Sequence, residues 1–194
     1  MVLNGLFYQS NFGKKSQQMK TFNKLKAILL IVLIVAVSAT SCKKDKDTKT
    51  SNGQFATVTA KRFAFGSGAV AEFKSTAAVV AKAGPIFTMT AVRDGLKESI
   101  TIALYGATGT GTYSLNKDNS TGNGAVMYKD FQNTTNKKLI YTTGEKNSGG
   151  GQVKITKLTD TEIEGTFFIV AHNEDGEEAF VEQGEFSGKI TTVK

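Results

Sequence analysis

The sequence predicts an all-β protein: a single antiparallel sandwich or barrel-like domain of about eight to ten strands behind an N-terminal export segment. Three observations predict it. From Phe55 onward, short runs rich in Thr, Val, Ile and Phe alternate with Gly, Asn and Asp at regular spacing. The 194 residues include 20 glycines and one proline, a balance that favours strands and tight turns. Alternation is legible inside single runs: Val153 and Ile155 point one way and Lys154 and Thr156 the other, and Phe186, Gly188 and Ile190 repeat the period. A chain of this length has room for one domain with its own core.

The elements follow in order. Residues 1–18 show no apolar period and precede a second methionine, so translation is expected to start at Met19. Lys20, Lys24 and Lys26 then form a positive segment, Ala27 to Val37 an apolar one, and Ser38 to Ser41 a small-residue cleavage region. A membrane-spanning helix needs about 20 apolar residues. This run is little more than half that, which favours a removable signal over residues 19–41.

Cys42 is the only cysteine, so the chain has no internal disulfide and no cysteine pair for a zinc knuckle. Its place directly after small residues is that of the lipidated cysteine of a bacterial lipoprotein. There the thiol is alkylated by diacylglycerol and the peptidase cuts before it. Acyl chains worth about 0.8 kcal/mol per buried methylene then make a lasting anchor. Ala39 stands where leucine is commonest, while Thr40 and Ser41 are small. The alternative is cleavage after Ala39 and a secreted protein with a free thiol. An isolated cysteine at this boundary favours lipidation.

Residues 42–54 continue as KKDKDTKTSNGQ after the cysteine, with no apolar side chain to repay ordering. A disordered tether is expected, reaching about 40 Å when stretched. The charge of the chain is concentrated here. The formal +7 comes from 24 basic and 17 acidic residues, but from Thr50 onward the two signs balance. The basicity belongs to the address and tether, so a nucleic-acid partner has no support.

The β domain, residues 55–194, offers strand candidates at Ala56 to Phe65, Ile86 to Val92, Ser99 to Tyr105, Gly111 to Leu115, Ala125 to Lys129 and Leu139 to Thr143. Further candidates are Gln152 to Lys157, Glu162 to His172, Glu177 to Glu182 and Glu185 to Thr192. Turns fall at Arg93-Asp94-Gly95, Ser148 to Gly151, Leu158 to Asp160 and Asn173 to Gly176, where Asp-Gly supplies the positive φ of a tight hairpin. Sequential antiparallel hairpins are expected. Phe167 to Ala171 is apolar throughout and reads as core on both faces. Ala69 to Ala83 reads two ways: Val70, Phe73, Ala77 and Val80 share a helical face, yet Thr76 to Lys82 fits a strand entering a hairpin at Gly84.

The export segment, followed by Ser99-Ile-Thr-Ile-Ala-Leu, Gly109-Thr-Gly-Thr-Tyr-Ser-Leu115, Gly165-Thr-Phe-Phe-Ile-Val-Ala171 and Gly184-Glu-Phe186, resembles the small uncharacterised lipoproteins of Bacteroidota. The likeness spans roughly Phe55 to Ile190. It implies an antiparallel β fold, favours strand over helix for residues 69–83, and implies no activity. Phe168 and Ile169 stand where that family alternates with polar residues. The resemblance also offers a role for Lys43 to Asp47, since charged residues after the cysteine help send such lipoproteins to the cell surface; a plain solvated tether is the other reading.

Candidate chemistry beyond Cys42 is thin. Gly106, Gly109 and Gly111 lack the Gly-Lys-Ser/Thr and the helix of a phosphate loop, and read as a turn or bulge. His172 beside Asn173, Glu174, Asp175, Glu177 and Glu178 has oxygen ligands for a cation but not EF-hand spacing, and an ordinary charged hairpin tip is expected. No Gly-x-Ser-x-Gly elbow is present, and acid–base work would fall to Glu162, Glu164, Glu182 and Glu185 without a tryptophan platform. No catalytic residue, metal or cofactor is assigned.

The expectation is therefore a non-enzymatic envelope lipoprotein, anchored to the outer membrane through acylated Cys42, serving binding or assembly. The competing class is a small carrier with an apolar cavity lined by Phe87, Ile102, Phe167 and Ile169; a third, an envelope hydrolase, lacks support. A lipid-sized cavity favours the carrier, whereas a filled core with an exposed aromatic favours partner binding.

Overall fold

The computed structural model describes residues 56–193 apart from 117 and 146–148. Cys42, the signal and the tether lie outside the described residues. Eleven strands form one mixed sheet: β1 (Ala56–Phe65), β2 (Ala71–Lys74), β3 (Ala77–Ala83), β4 (Ile86–Arg93), β5 (Glu98–Tyr105), β6 (Gly111–Ser114), β7 (Gly124–Tyr128), β8 (Ile140–Thr142), β9 (Gly150–Leu158), β10 (Glu162–His172) and β11 (Glu178–Val193). Short 3-10 turns occupy Asp94–Leu96 and Lys137–Leu139. Among the described residues no helix is long and apolar enough to cross a membrane.

The segment with two readings is extended: β2 and β3 take it, and alanine helix propensity yields to strand pairing on both sides of β3. Its turn into β4 is a two-residue loop, Gly84-Pro85, between the paired Ala83 and Ile86. Gly84 takes φ 55°, the positive value that the first position of a type II′ hairpin requires.

Strands β6, β9, β10, β11, β1 and β2 lie in that lateral order, and β3, β4, β5, β7 and β8 form a second run. β10 and β11 pair along their length, from Glu162↔Lys189 to His172↔Glu178. At one end Ile190 to Val193 of β11 runs parallel to Val80 to Ala83 of β3. At the other, His172 of β10 pairs with Thr142 of β8. The ladder therefore closes on itself, and it ends only at the four-residue strands β2 and β6. The parallel β3–β11 pairing departs from the expectation of antiparallel hairpins alone. Apart from Lys82, both segments present β-branched or small residues, so the closing pair carries no local mark.

Three further expectations are corrected. Glu177 to Glu182 and Glu185 to Thr192 belong mostly to a single strand, β11, which continues through a bulge instead of breaking. Asp94-Gly95 does not form a tight two-residue turn: the loop holds a 3-10 turn, and the positive φ of 58° falls on Lys97. Phe168 is not core; it is 47% exposed, because β10 alternates strictly and turns Thr166 and Phe168 to solvent while Phe167 and Ile169 face inward.

The core lies inside the closed sheet. Val80, Met89 and Leu104 from one run meet Val153, Ile163 and Phe186 from the other. Two sequence words of the resemblance face each other here. Gly165 pairs with Phe186 and Phe167 with Gly184 across β10 and β11, and each ring covers the opposite glycine. The two rings sit 6.3 Å apart. Glycine at both positions lets a phenylalanine lie on backbone, an aromatic covering of glycine that also fixes strand register.

Arg93 ties a second corner. Its guanidinium engages the Glu98 carboxylate through Nε and Nη2, donates through Nη1 to the Glu72 carbonyl, and lies 5.2 and 5.3 Å from the ring centres of Phe63 and Phe73. Both charged side chains are largely withdrawn from solvent, at 17% and 16% exposure. A fork with its donors aimed at a carboxylate and a carbonyl, lying on two aromatic faces, suits arginine and not lysine.

Candidate functional site

Strand periodicity brings one exposed aromatic ring and a set of polar side chains onto the outer face of β9, β10, β11 and β1. Gln152 and Lys154 come from β9, Thr166 and Phe168 from β10, Gln183 and Glu185 from β11, and Lys61 from β1. The β10–β11 register shifts between Phe167↔Gly184 and Ile169↔Val181, so Glu182 and Gln183 together oppose Phe168. Gln183 takes φ 52° to make this bulge. A bulge bends its strand and re-aims side chains. Here a depression of about 370 Å³ crosses the four strands at Phe168.

The polar groups of this depression are uncommitted, while those around it are not. Arg62 pairs with Glu182, Lys157 bridges Glu162 and Glu164 at 2.9 and 3.1 Å, and Thr57 and Ser187 share a hydrogen bond. The Lys157 ammonium, by hydrogen bond and charge, holds the Glu162 carboxyl below the usual range. Among the described residues, no ion pair or side-chain hydrogen bond engages Lys61, Lys154, Gln152, Gln183, Glu185 or Thr166.

The acidic hairpin tip forms a clasp. Asn173 donates through Nδ2 to Glu177 Oε2 at 3.0 Å and to the Lys138 carbonyl at 2.9 Å, and its Oδ1 accepts from the Glu177 amide. Tyr141, 1% exposed, donates its hydroxyl to the same carboxylate oxygen at 3.1 Å. Lys138 pairs with Asp175, and His172 Nε2 lies 3.7 Å from Glu178. Among the described residues no three His, Cys, Asp or Glu side chains converge as a metal site. The clasp secures the corner where β10 reaches β8.

Burial, with the Glu177 hydrogen bond and charge adding to it, pushes the Tyr141 hydroxyl up to about 12. A folded-state value above the unfolded one stabilises fully below pH of about 10 and is lost as pH rises towards the folded value. Chemical denaturation of the wild type is expected to show stability falling from about pH 10 to pH 12. Tyr141→Phe flattens that decline and lowers stability near neutrality by about 1.5–3 kcal/mol, the range of a hydrogen bond to a charged group. An unchanged alkaline profile in Tyr141→Phe would assign the decline elsewhere.

The other sequence candidates stay apart. Glu162, Glu164 and Glu182 are spread over the outer face in ion pairs, and Glu185 stands at the depression. Gly106 and Gly111 serve the connection from β5 into β6, with φ 67° and 155°, and a strand follows instead of a helix. Phe87 and Ile102 line a gap of only about 20 Å³. Phe167 and Ile169 are packed in the core, 4% and 0% exposed. Such a gap is close to the space one water needs. The outer depression escaped the sequence reading, although the strict period of Glu162 to His172 already sets Phe168 with Thr166 and against Phe167.

Fold and site together define an all-β domain with a closed, filled sheet and one aromatic-bearing depression on its outside. The chain belongs to the family described as a domain of unknown function (DUF6252), which matches residues 66–188. No curated protein and no solved structure matches the chain. The family region takes in the paired glycines and phenylalanines, the Tyr141 clasp and most of the outer depression, Lys61 excepted.

Proposed function

We propose that the mature chain is a non-enzymatic, lipid-anchored module of the cell envelope that engages its partner through the outer face at Phe168. The observation that carries this reading is the exposed ring in a depression walled by uncommitted polar groups, on a domain whose core is filled. Aromatic rings seated in depressions with polar rims are enriched among the residues that anchor partners. The anchor rests on Cys42 following the apolar run, and the balanced charge of the domain fits a partner other than nucleic acid. The filled core favours this module over an internal lipid carrier.

Labelled palmitate is expected to enter the wild type and not Cys42→Ala, which moves from the membrane to the soluble fraction. Equal fractionation of the two would remove the anchor from the proposal. A photo-crosslinking amino acid at position 168 is expected to give a discrete adduct in intact cells, whereas the same group at the exposed Leu96 does not. Absence of an adduct at 168 would rule out a protein partner at this face.

A further inference from the structure

We propose that the depression at Phe168 is a binding site for an oligosaccharide, a deepening that rests on the reading of this face as the binding face. Three features argue for that chemistry.

The first is the ring. Phe168 is 47% exposed on a strand whose other outward neighbours include Glu164 and Thr166. A sugar ring carries an apolar C–H face between its hydroxyls, and an aromatic face is its natural support; π faces attract the positive edge of C–H bonds as they do that of other rings.

The second is the hydrogen-bonding set. Sugar hydroxyls both donate and accept. Lys61 and Lys154 offer donors, Glu185 an acceptor, and the amides of Gln152 and Gln183 offer both. Among the described residues none of the five is committed within the chain, in contrast with the paired Arg62, Glu182, Lys157, Glu162 and Glu164 beside them. A nucleic acid strand needs a basic track. Glu185 interrupts one here, in a domain of balanced charge. A lipid tail needs a continuous apolar trough, and the one exposed apolar side chain in the lining is Phe168.

The third is extent. The depression crosses four strands, about 14 Å at the usual strand spacing. Its volume of about 370 Å³ lies in the lower part of the range for small-ligand sites. That length suits a short run of sugar rings laid across the strands better than a single monosaccharide.

The test uses the full chain in detergent, titrated calorimetrically with cellohexaose, maltohexaose, hexagalacturonate and a peptidoglycan-derived glycan fragment. At least one is expected to bind. Phe168→Ala weakens that binding about tenfold and Phe168→Leu several-fold, as loss of a stacked ring implies, while Phe168→Tyr retains it. Lys154→Ala also weakens it without moving the melting temperature. Failure of all four probes to bind overturns the proposal. So does a Phe168→Leu variant that binds a probe as well as the wild type, because aliphatic burial then suffices. If no probe binds but the crosslinker at 168 yields a protein adduct, the binding face stands and its ligand is a protein. If neither appears, both readings fall.

Discussion

Gly165→Ala is expected to lower unfolding free energy by about 3 kcal/mol, read from urea or thermal unfolding of the purified variant. A Cβ at this position meets the Lys154 carbonyl oxygen and comes within 2.6 Å of the Phe186 ring. The ring has some freedom to turn, but the carbonyl belongs to the β9 ladder, so relief requires strands to separate. Gly184→Ala is expected to lose less, because its three nearest neighbours, from 2.7 Å, are all atoms of the Phe167 ring. At Gly109 nothing lies within 4 Å of the added carbon. Gly109→Ala therefore changes stability by less than about 0.5 kcal/mol. Equal stability of the Gly165 and Gly109 variants would mean that the rings do not seat on glycine.

The second large effect is at Arg93. Arg93→Ala leaves the Glu98 carboxylate mostly withdrawn from water without its guanidinium, and is expected to destabilise by about 3 kcal/mol or more. Two aromatic faces also lose their cation. Replacing both partners, Arg93→Met with Glu98→Leu, removes the stranded charge and is expected to cost much less than the single change. A double-mutant cycle decides: a double variant as unstable as Arg93→Ala would show that packing of the arginine, and not the isolated carboxylate, sets the loss.

The class of fold was legible because its signals are local. The run Val153 to Thr156 has its period of two, and Gly84-Pro85 marks a turn by chemistry that any fold must respect. The misread places are those where one local signal serves two structures. Gln183-Gly184 looks like the end of a strand, yet a residue at positive φ inside β11 makes a bulge from the same letters. Asp94-Gly95 looks like a tight turn, yet the loop curls into a 3-10 turn and hands the positive φ to Lys97. The depression at Phe168 needs β9, β10, β11 and β1 side by side in that order. Lateral order is a property of the whole chain, and the parallel contact between Val80 to Ala83 and Ile190 to Val193 joins the two runs of strands. A continuous apolar run at Phe167 to Ala171 further concealed that one of its members faces water. The Tyr141–Glu177 hydrogen bond was hidden for the same reason, since β8 and the hairpin tip meet only after the sheet has closed.

The closed ladder has a bearing on how copies of the chain behave beside one another. An open strand edge is a template on which a second chain adds, and long flat edges are where fibrils begin. This sheet leaves such rows at β2 and β6, each four residues long, and β2 carries Glu72 and Lys74 along its edge. Proteins gathered on one surface meet at high local concentration. At β2 and β6 a neighbour finds only four-residue edges to zip onto, so crowding there brings side chains into contact more readily than it seeds cross-β growth.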